Sequence, residues 1–258
     1  MTAKPDPRGF PLRKANEVPA VSARQMREIQ RVAQEDFGLD ILQIMENAGR
    51  SIALLALQML GGRGRGQQVV VLAGGGNKGA AGLVAARNLV NWGCQVAPIF
   101  GEVESETSFA GHRQVQILRE SGIIDAAVAE PSEITLEEQL STADLVIDAL
   151  VGYGLEGPPI GIAAAVTELA CAARRQILAV DVPTGVNATT GEVSRPAILA
   201  CTTLSLDLPK KGIFEAQARA NVGELYLADV GIPLRVHERL GINTGGLFSE
   251  GPIVRIKR

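Results

Sequence analysis

The sequence predicts a single-domain α/β fold in which a mostly parallel sheet lies between two layers of helices. Short apolar runs, which are typical of buried parallel strands, alternate along its 258 residues with longer helical patterns. Three of these runs lead into glycine-rich or acidic segments, at residues 74–82, 148–157 and 181–185. Because ligands of such folds bind outside the carboxyl ends of the strands, we expect these segments to meet in one crevice.

Composition is consistent with this fold and argues against several functional classes. The chain is 46% hydrophobic but only 3% aromatic, and its net charge of −3 leaves no basic footprint for nucleic acid or an anionic membrane. Three cysteines without close spacing and two histidines argue against a transition-metal site and for reduced thiols. The sequence shows no signal peptide or membrane-spanning segment, so we expect a cytoplasmic protein.

Composition also suggests how the chain is divided. Residues 1–21 are polar and rich in proline, which predicts a flexible arm, although such an arm can also pack across a partner subunit. Residues 22–240 carry the strand and helix patterns and are predicted to form the folded domain. Residues 241–258 remain as a C-terminal tail.

Two helices are predicted before the first glycine-rich segment. Ser22 and Gln25 form a capping box for the first of them. The second covers residues 40–60, which are apolar on most sides and are therefore predicted to be buried. Glu46 and Asn47 interrupt this apolar helix, so their polar groups must either find partners or face solvent.

The first glycine-rich segment follows a predicted strand at residues 69–73 and precedes a helix predicted to begin at Leu83. Glycine lets a ligand approach the backbone closely, and the start of a helix favours an anion such as a phosphate. The pattern G-x-G-x-x-G at 74–79 matches a dinucleotide fingerprint, with Glu102 near the expected spacing, although a tight turn is the alternative interpretation. Lys78 is not followed by Ser or Thr, which excludes a Walker A loop.

Strands and helices continue to alternate after this segment. Further strands are predicted at 94–100, 126–129, 144–150, 176–182, 202–206 and 224–228, and further helices at 109–119, 134–140 and 159–173. Asp148 and Asp181 lie at two strand ends, where acids often belong to a functional site. The alternative for Asp148 is an acid that caps the following loop, and the alternative for Asp181 is an acid that forms a turn. Lys210 and Lys211 are compatible with a functional turn or a solvated one, and His237 is expected at the surface.

Four motifs together give the chain a family resemblance between about Val21 and Pro233. They are MENAG at 45–49, Asp148 followed by G-x-G-L-x-G at 152–157, DVPTG at 181–185, and ADVGIP at 228–233. With these motifs the chain resembles the YjeF N-terminal domain family, whose enzymes are NAD(P)H-hydrate epimerases. The resemblance implies a Rossmann-like αβα sandwich, a homodimer, and interconversion of the R and S forms of NADH and NADPH hydrated at C6 of the nicotinamide ring.

The resemblance also implies roles for individual residues. Asp181 corresponds to the acid that contacts the substrate and is the candidate catalytic residue, while Asp148 and Thr184 correspond to ligands of a potassium ion. The implied dinucleotide-binding positions, besides Asp181, are Gly76, Asn77, Lys78, Gly79, Ala80, Ala81, Gly152, Tyr153, Gly154, Leu155, Glu156 and Gly157.

The first glycine loop departs from the family pattern. The family has G-P-G-N-N-G-G-D-G, and this chain has GGGNKGAAG at 74–82. Lys78 replaces an asparagine of the potassium site, so its ammonium could stand in for the ion beside Asp148. Ala81 replaces an aspartate and Ala80 a glycine, which leaves open a catalytically silent member that binds a nucleotide or acts as a dimeric scaffold. A third interpretation, a hydride-transferring dehydrogenase, is supported by the glycine pattern alone.

Overall fold

The computed structural model describes residues 6–101, 107–124, 133–154 and 157–258, and eight strands within these ranges form one sheet. The strands are β1 (Leu12–Lys14), β2 (Gln68–Ala73), β3 (Gln95–Phe100), β4 (Leu145–Ala149), β5 (Ile177–Val180), β6 (Thr202–Leu206), β7 (Glu224–Ala228) and β8 (Ile253–Lys257). Their order in the sheet is β1-β8-β7-β6-β5-β4-β2-β3. All neighbouring strands are parallel except β7 and β8, so the predicted mostly parallel sheet is confirmed.

Both faces of this sheet are buried. In β2, Val69 and Val71 join one apolar cluster, whereas Val70 and Leu72 join another. Successive side chains of a strand point to opposite faces, so the two clusters lie on opposite sides of the sheet. Helices cover each cluster, which confirms the αβα sandwich and explains why its strands are continuous apolar runs rather than alternating ones.

The helices agree with the predicted alternation. They are α1 (Ala23–Arg31), α2 (Ile41–Met59), α3 (Asn77–Asn91), α4 (Phe109–Glu120), α5 (Glu133–Thr142), α6 (Gly161–Ala172), α7 (Arg219–Val222) and α8 (Leu234–Arg239). Ser22 caps α1, where its hydroxyl accepts the Gln25 backbone N–H at 3.2 Å and the Gln25 side chain accepts the Ser22 N–H at 2.9 Å. The predicted capping box is therefore confirmed.

The helix after the first glycine loop begins at Asn77, six residues before the predicted start at Leu83. The prediction was wrong because it treated every glycine there as loop. Gly79 instead lies inside the first turn of α3, where an added Cβ would fall 1.8 Å from the Gly74 carbonyl oxygen. Glycine at this position permits the close approach of helix and strand end, at a modest cost in helix propensity.

Each end of the described chain contributes a strand to the sheet, within the segments that composition suggests as an arm and a tail. β1 pairs with β8, and both extend the sheet beyond β7. Asp6 is buried, accepts the Tyr226 hydroxyl at 2.6 Å, and accepts the Phe10 backbone N–H at 2.6 Å. These bonds hold residues 6–10 against β7, which the polar composition of this segment does not indicate. The strand predicted at 126–129 and Glu102 lie outside the described residues.

Within the described ranges, no helix combines the length and the apolar character needed to cross a membrane.

Candidate active site at the carboxyl ends of the strands

A cleft of about 350 Å³ opens at the carboxyl ends of the central strands. Its walls come mainly from the segments that follow β2, β4, β5 and β6, with contributions from α1, α2 and Val230 after β7. These four strands are neighbours in the sheet, so the three segments singled out from the sequence meet at one edge. A volume of this size lies at the lower end of the range for small-molecule sites.

Lys78 lies at the bottom of this cleft, in the first turn of α3, and only 7% of its side chain is exposed. Five oxygen atoms of the described residues surround its ammonium nitrogen. They are the Val151 and Val182 carbonyls at 2.9 Å each, Thr184 Oγ1 at 3.3 Å, and the two Asp148 carboxylate oxygens at 3.4 and 3.3 Å. An ammonium group has three hydrogens to donate, so this cage offers more acceptors than the group can bond at once.

Asp148, at the end of β4, supplies the negative charge of the cage and is fully buried. It accepts the Thr184 backbone N–H at 2.8 Å, the Thr184 hydroxyl at 2.6 Å and the Leu150 backbone N–H at 3.1 Å. A buried carboxylate is costly unless it is paired and hydrogen-bonded, and here both conditions are met. The same bonds tie the end of β4 to the turn after β5.

Burial lowers the pKa of Lys78 from its ordinary value of 10.5, because removing the ammonium from water disfavours the charged form. The neighbouring charges of Asp148 and Asp181 act in the opposite direction but do not cancel this effect. The site thus holds a cation whose charge depends on the carboxylates around it.

Asp181 follows β5 with a backbone φ of +64°, a left-handed conformation that is uncommon for residues other than glycine. The Lys210 ammonium, the Leu206 backbone N–H at 3.2 Å and the Ser205 hydroxyl at 3.4 Å all donate to Asp181 Oδ1. Backbone strain of this kind costs about 1–3 kcal/mol and persists only where the surroundings fix it. Such positions cluster in active sites, which makes Asp181 the main candidate for chemistry.

Asp207 is a second strand-end aspartate in the cleft, and the sequence analysis missed it. It follows β6, has a φ of +61°, and lies 3.0 Å from His237 Nε2 through its Oδ2. The prediction that His237 lies at the surface was wrong. His237 is buried and pairs with Asp207. The strand-end rule applied to Asp148 and Asp181 would have found Asp207 as well.

The segment 45–49 supports the wall of the cleft. Met45 lines it, and the Asn47 side chain donates to the Val230 carbonyl at 3.2 Å. Glu46 accepts a hydrogen bond from Arg87 of α3 at 2.7 Å. Both polar groups in the middle of α2 therefore find partners, although neither is buried: Asn47 is exposed and Glu46 is partly exposed.

The structure brings some of the sequence-predicted binding residues to the cleft and not others. Those that line it are Gly76, Asn77, Lys78, Gly152, Tyr153, Gly154 and Asp181. Ala80 and Ala81 are fully buried inside α3, and Gly79 packs against the Gly74 carbonyl. Asp148 and Thr184 lie beneath the cleft around Lys78. Gly157 is exposed, and Leu155 and Glu156 lie outside the described residues.

The departure at Ala81 affects packing more than it affects the cleft. Ala81 has no exposed surface and belongs to an apolar cluster that also contains Ala48 and Ile52 of α2. A carboxylate would need a partner in that apolar interface, which alanine avoids. In the described part of the chain, no group of three or more His, Cys, Asp and Glu side chains is placed to hold a metal ion.

This geometry defines a class of protein. A doubly wound α/β sheet carries, at its carboxyl edge, a glycine-capped helix start, a strained carboxylate and a buried lysine, an arrangement typical of α/β proteins that bind a phosphate-containing ligand. Comparison with known proteins agrees. Residues 41–212 match the family model described as YjeF-related protein N-terminus.

Relatives of known name cover nearly the whole chain. An NAD(P)H-hydrate epimerase of Dehalogenimonas lykanthroporepellens is 38% identical over 90% of this chain and 90% of its own length. Another, from Rhodopirellula baltica, is 32% identical over 88% and 90% of the two chains. The bifunctional NAD(P)H-hydrate repair enzyme Nnr of Moorella thermoacetica is 31% identical over 84% of this chain but only 41% of its own.

A solved structure shows the same fold. The crystal structure of the yeast protein ynu0 superposes with a TM-score of 0.79 at 27% sequence identity, covering 92% of this chain and 100% of that one. The chain therefore belongs to the YjeF-related N-terminal domain family.

Proposed function

We propose that this protein is an NAD(P)H-hydrate epimerase that interconverts the R and S forms of hydrated NADH and NADPH. The named relatives support the reaction, and one observation carries it to this chain: Asp181 lies in the cleft with a strained backbone and a fixed carboxylate. Strained, buried acids of this kind are concentrated in active sites, which supports a role in chemistry over one in the turn alone.

The reaction needs one group that moves a proton. In a hydrated ring, C6 carries a hydroxyl group beside the ring nitrogen N1. The Asp181 carboxylate accepts the hydroxyl proton, the C6–N1 bond breaks with its electron pair passing to N1, and N1 takes the proton, so that C6 becomes an aldehyde carbon. Rotation about the C5–C6 bond and the reverse transfers close the ring with the opposite configuration. Proton transfer by a positioned carboxylate accelerates such steps about 10²- to 10⁴-fold.

The start of α3 is suited to the phosphates of the substrate. Gly76 caps this helix, and Gly76 and Asn77 are both exposed in the cleft. A Cβ on Gly76 would meet no atom within 4 Å, so its glycine is not required for packing and leaves the backbone open to a ligand. Free N–H groups at a helix start favour phosphate oxygens.

The potassium ion that the family resemblance implies does not fit this chain. Lys78 Nζ lies 3.3 Å from both Asp148 and Thr184, the two residues that would hold the ion. A second cation there would have to share the oxygen cage with an ammonium group. We therefore assign the positive charge of the site to Lys78, and no step of the reaction to potassium.

The function is tested by mixing the purified protein with R and S hydrates of NADH and an S-specific dehydratase. We expect rapid consumption of the R form, far above its spontaneous epimerisation. Asp181→Asn should lower this rate about 10²- to 10⁴-fold. Asp144→Asn is the matched control, because Asp144 precedes β4 at the opposite edge of the sheet and is exposed.

A folded protein that leaves the R form at its spontaneous rate would contradict the epimerase function. It would favour a silent family member that binds a nucleotide or serves as a dimeric scaffold. Equal loss of rate in both aspartate variants would instead point to a general structural effect.

The family resemblance also leads us to propose a homodimer that acts in the cytoplasm. Light scattering of the full chain should then give twice its mass of 27.1 kDa. Fractionation of the source cells should recover it with cytoplasmic markers; a monomer or a membrane-bound fraction would contradict this assignment.

A further inference from the structure

Lys210 and Lys211 are neighbours in the turn after β6, and the structure gives them opposite environments. Lys211 is exposed, whereas Lys210 is only 1% exposed and lines the cleft. The Lys210 ammonium contacts Asp181 Oδ1 and donates to the Leu206 carbonyl at 2.8 Å. A lysine is rarely buried unless it is paired, so the pairing with Asp181 accounts for the burial of this side chain.

The bonds of Lys210 make the two oxygens of Asp181 unequal. Within the described residues, the hydrogen bonds to this carboxylate all end on Oδ1. Oδ2 lies on the side of Gly152, where an added Cβ would stand 3.9 Å from it, and Gly152 lines the cleft. One oxygen is anchored to the turn and the other is directed to the ligand space.

The aromatic wall of the cleft also contacts Lys210. Its ammonium nitrogen lies 5.7 Å from the centre of the Tyr153 ring, within range of a cation–π interaction. The Tyr153 hydroxyl donates to Gln30 Oε1 at 2.5 Å, and burial raises the pKa of Tyr153 to about 12, so that the phenol remains a donor. A continuous contact therefore runs from Gln30 in α1 to Asp181.

The turn that carries Asp181 is held at both ends by an ammonium group. Lys210 binds the side chain of Asp181, while Lys78 binds the Val182 carbonyl at 2.9 Å and the Thr184 hydroxyl at 3.3 Å. The left-handed φ of Asp181 needs such support from its surroundings.

We propose that Lys210 is a positioning residue: it anchors Asp181 Oδ1 so that Oδ2 is presented to the hydroxyl group of the substrate. This role rests on the proposed epimerase function. A displacement of about 1 Å at a reacting group can cost 10²-fold in rate, so the anchor should act on kcat more than on KM.

The test compares Lys210→Met with Lys211→Met in the epimerisation assay. We expect Lys210→Met to lose about 10²-fold in kcat with little change in KM, and Lys211→Met to match the wild type. Methylammonium should restore part of the Lys210→Met rate because it can donate to Oδ1, whereas tetramethylammonium should not. Lys210→Arg keeps a donating cation and should retain more activity than Lys210→Met. If Lys210→Met does not fold, Lys210→Arg replaces it in the comparison with the wild type.

Full activity of Lys210→Met, or equal rescue by both ammonium ions, would overturn the positioning role. If the wild type itself is inactive, the proposed function fails instead. The crystal structure of Lys210→Met then decides the anchor separately. A carboxylate that has rotated away from the Leu206 N–H supports it, and an unchanged Asp181 contradicts it.

Discussion

At the scale of single residues, the site depends on two ammonium groups and two strained aspartates. Lys78 occupies a cage of oxygens at the bottom of the cleft, and Lys210 holds the carboxylate above it. Asp181 and Asp207 both adopt left-handed backbone conformations, and each pairs with a buried basic group. Such conformations cost free energy, so their concentration around one cleft indicates that it is the working part of the molecule.

The lowered pKa of Lys78 predicts how activity responds to pH. Lys78 is charged, and donates to the oxygen cage, at pH values below its folded-state pKa. It loses its charge as the pH rises through this pKa, which lies below 10.5. Epimerisation should therefore fall on the alkaline side before pH 10.5. Because the pKa of Lys78 is lower in the folded than in the unfolded state, the unfolded state binds more protons between these two values. The contribution of Lys78 to the free energy of unfolding should therefore increase as the pH rises from the folded-state pKa towards 10.5.

The measurement is the enzymatic rate, corrected for spontaneous epimerisation, between neutral pH and pH 11. Lys211→Met should keep the alkaline decrease because this lysine lies outside the cleft. A rate that stays constant through pH 10.5 would show that the charge of Lys78 is not needed.

At the scale of elements, the close contact between α2 and α3 sets the position of the cleft. Gly49 of α2 faces Val84 of α3, and a Cβ on Gly49 would fall 2.3 Å from the Val84 Cβ. Asn47, one half-turn earlier, supports the wall at Val230. The MENAG segment thus combines a packing glycine with a polar support, and α3 carries Lys78 into the cage.

Gly49→Ala should destabilise the protein by about 1–3 kcal/mol, because the added methyl group overpacks this interface. Val84→Gly should remove both side-chain contacts, with the Val84 Cβ at 2.3 Å and its Cγ1 at 2.4 Å, so the double variant is expected to be more stable than the sum of the two single changes predicts. Urea unfolding of the three variants and the wild type measures the coupling. Additive effects would contradict the predicted contact.

The sequence was informative about elements where the physical signal was local. Apolar runs and glycine-rich ends located the strands and the crevice, because both follow directly from burial on two faces and from crossover geometry. The start of α3 was misplaced, since glycine serves there for close packing rather than for a turn. The burial of Lys210 and His237 could not be predicted because it depends on contacts between distant elements, whereas Asp207 was overlooked although its place at the end of β6 was visible in the sequence.

At the scale of the whole molecule, β1 and β8 complete the sheet and tie both ends of the described chain to β7. Tyr226 is the centre of this contact. Its hydroxyl donates to Asp6 at 2.6 Å, and the guanidinium carbons of Arg8 and Arg255 lie 5.5 and 6.0 Å from its ring centre. Glu224 accepts a hydrogen bond from each arginine at 2.6 Å. This network lies on strands away from the cleft and is expected to serve stability.

Tyr226→Phe should lower the free energy of unfolding by about 1–3 kcal/mol, because the buried Asp6 carboxylate loses a donor. The epimerisation rate per folded molecule should remain unchanged. Thermal unfolding and the coupled assay on the same sample measure both quantities. A loss of rate without a loss of stability would show that this edge of the sheet communicates with the cleft.

The central claim is that Lys78 supplies the positive charge for which the family resemblance implies a potassium ion. The most direct measurement is a potassium titration of epimerisation at constant ionic strength, with choline as the replacement cation, for the wild type and Lys78→Asn. Asparagine would offer an amide oxygen beside Asp148, Thr184 and the two carbonyls, a ligand set that suits potassium. We predict a wild-type rate that ignores potassium and a Lys78→Asn rate and melting temperature that both rise with it. A wild-type rate that depends on potassium, or a Lys78→Asn protein that ignores it, would contradict the account.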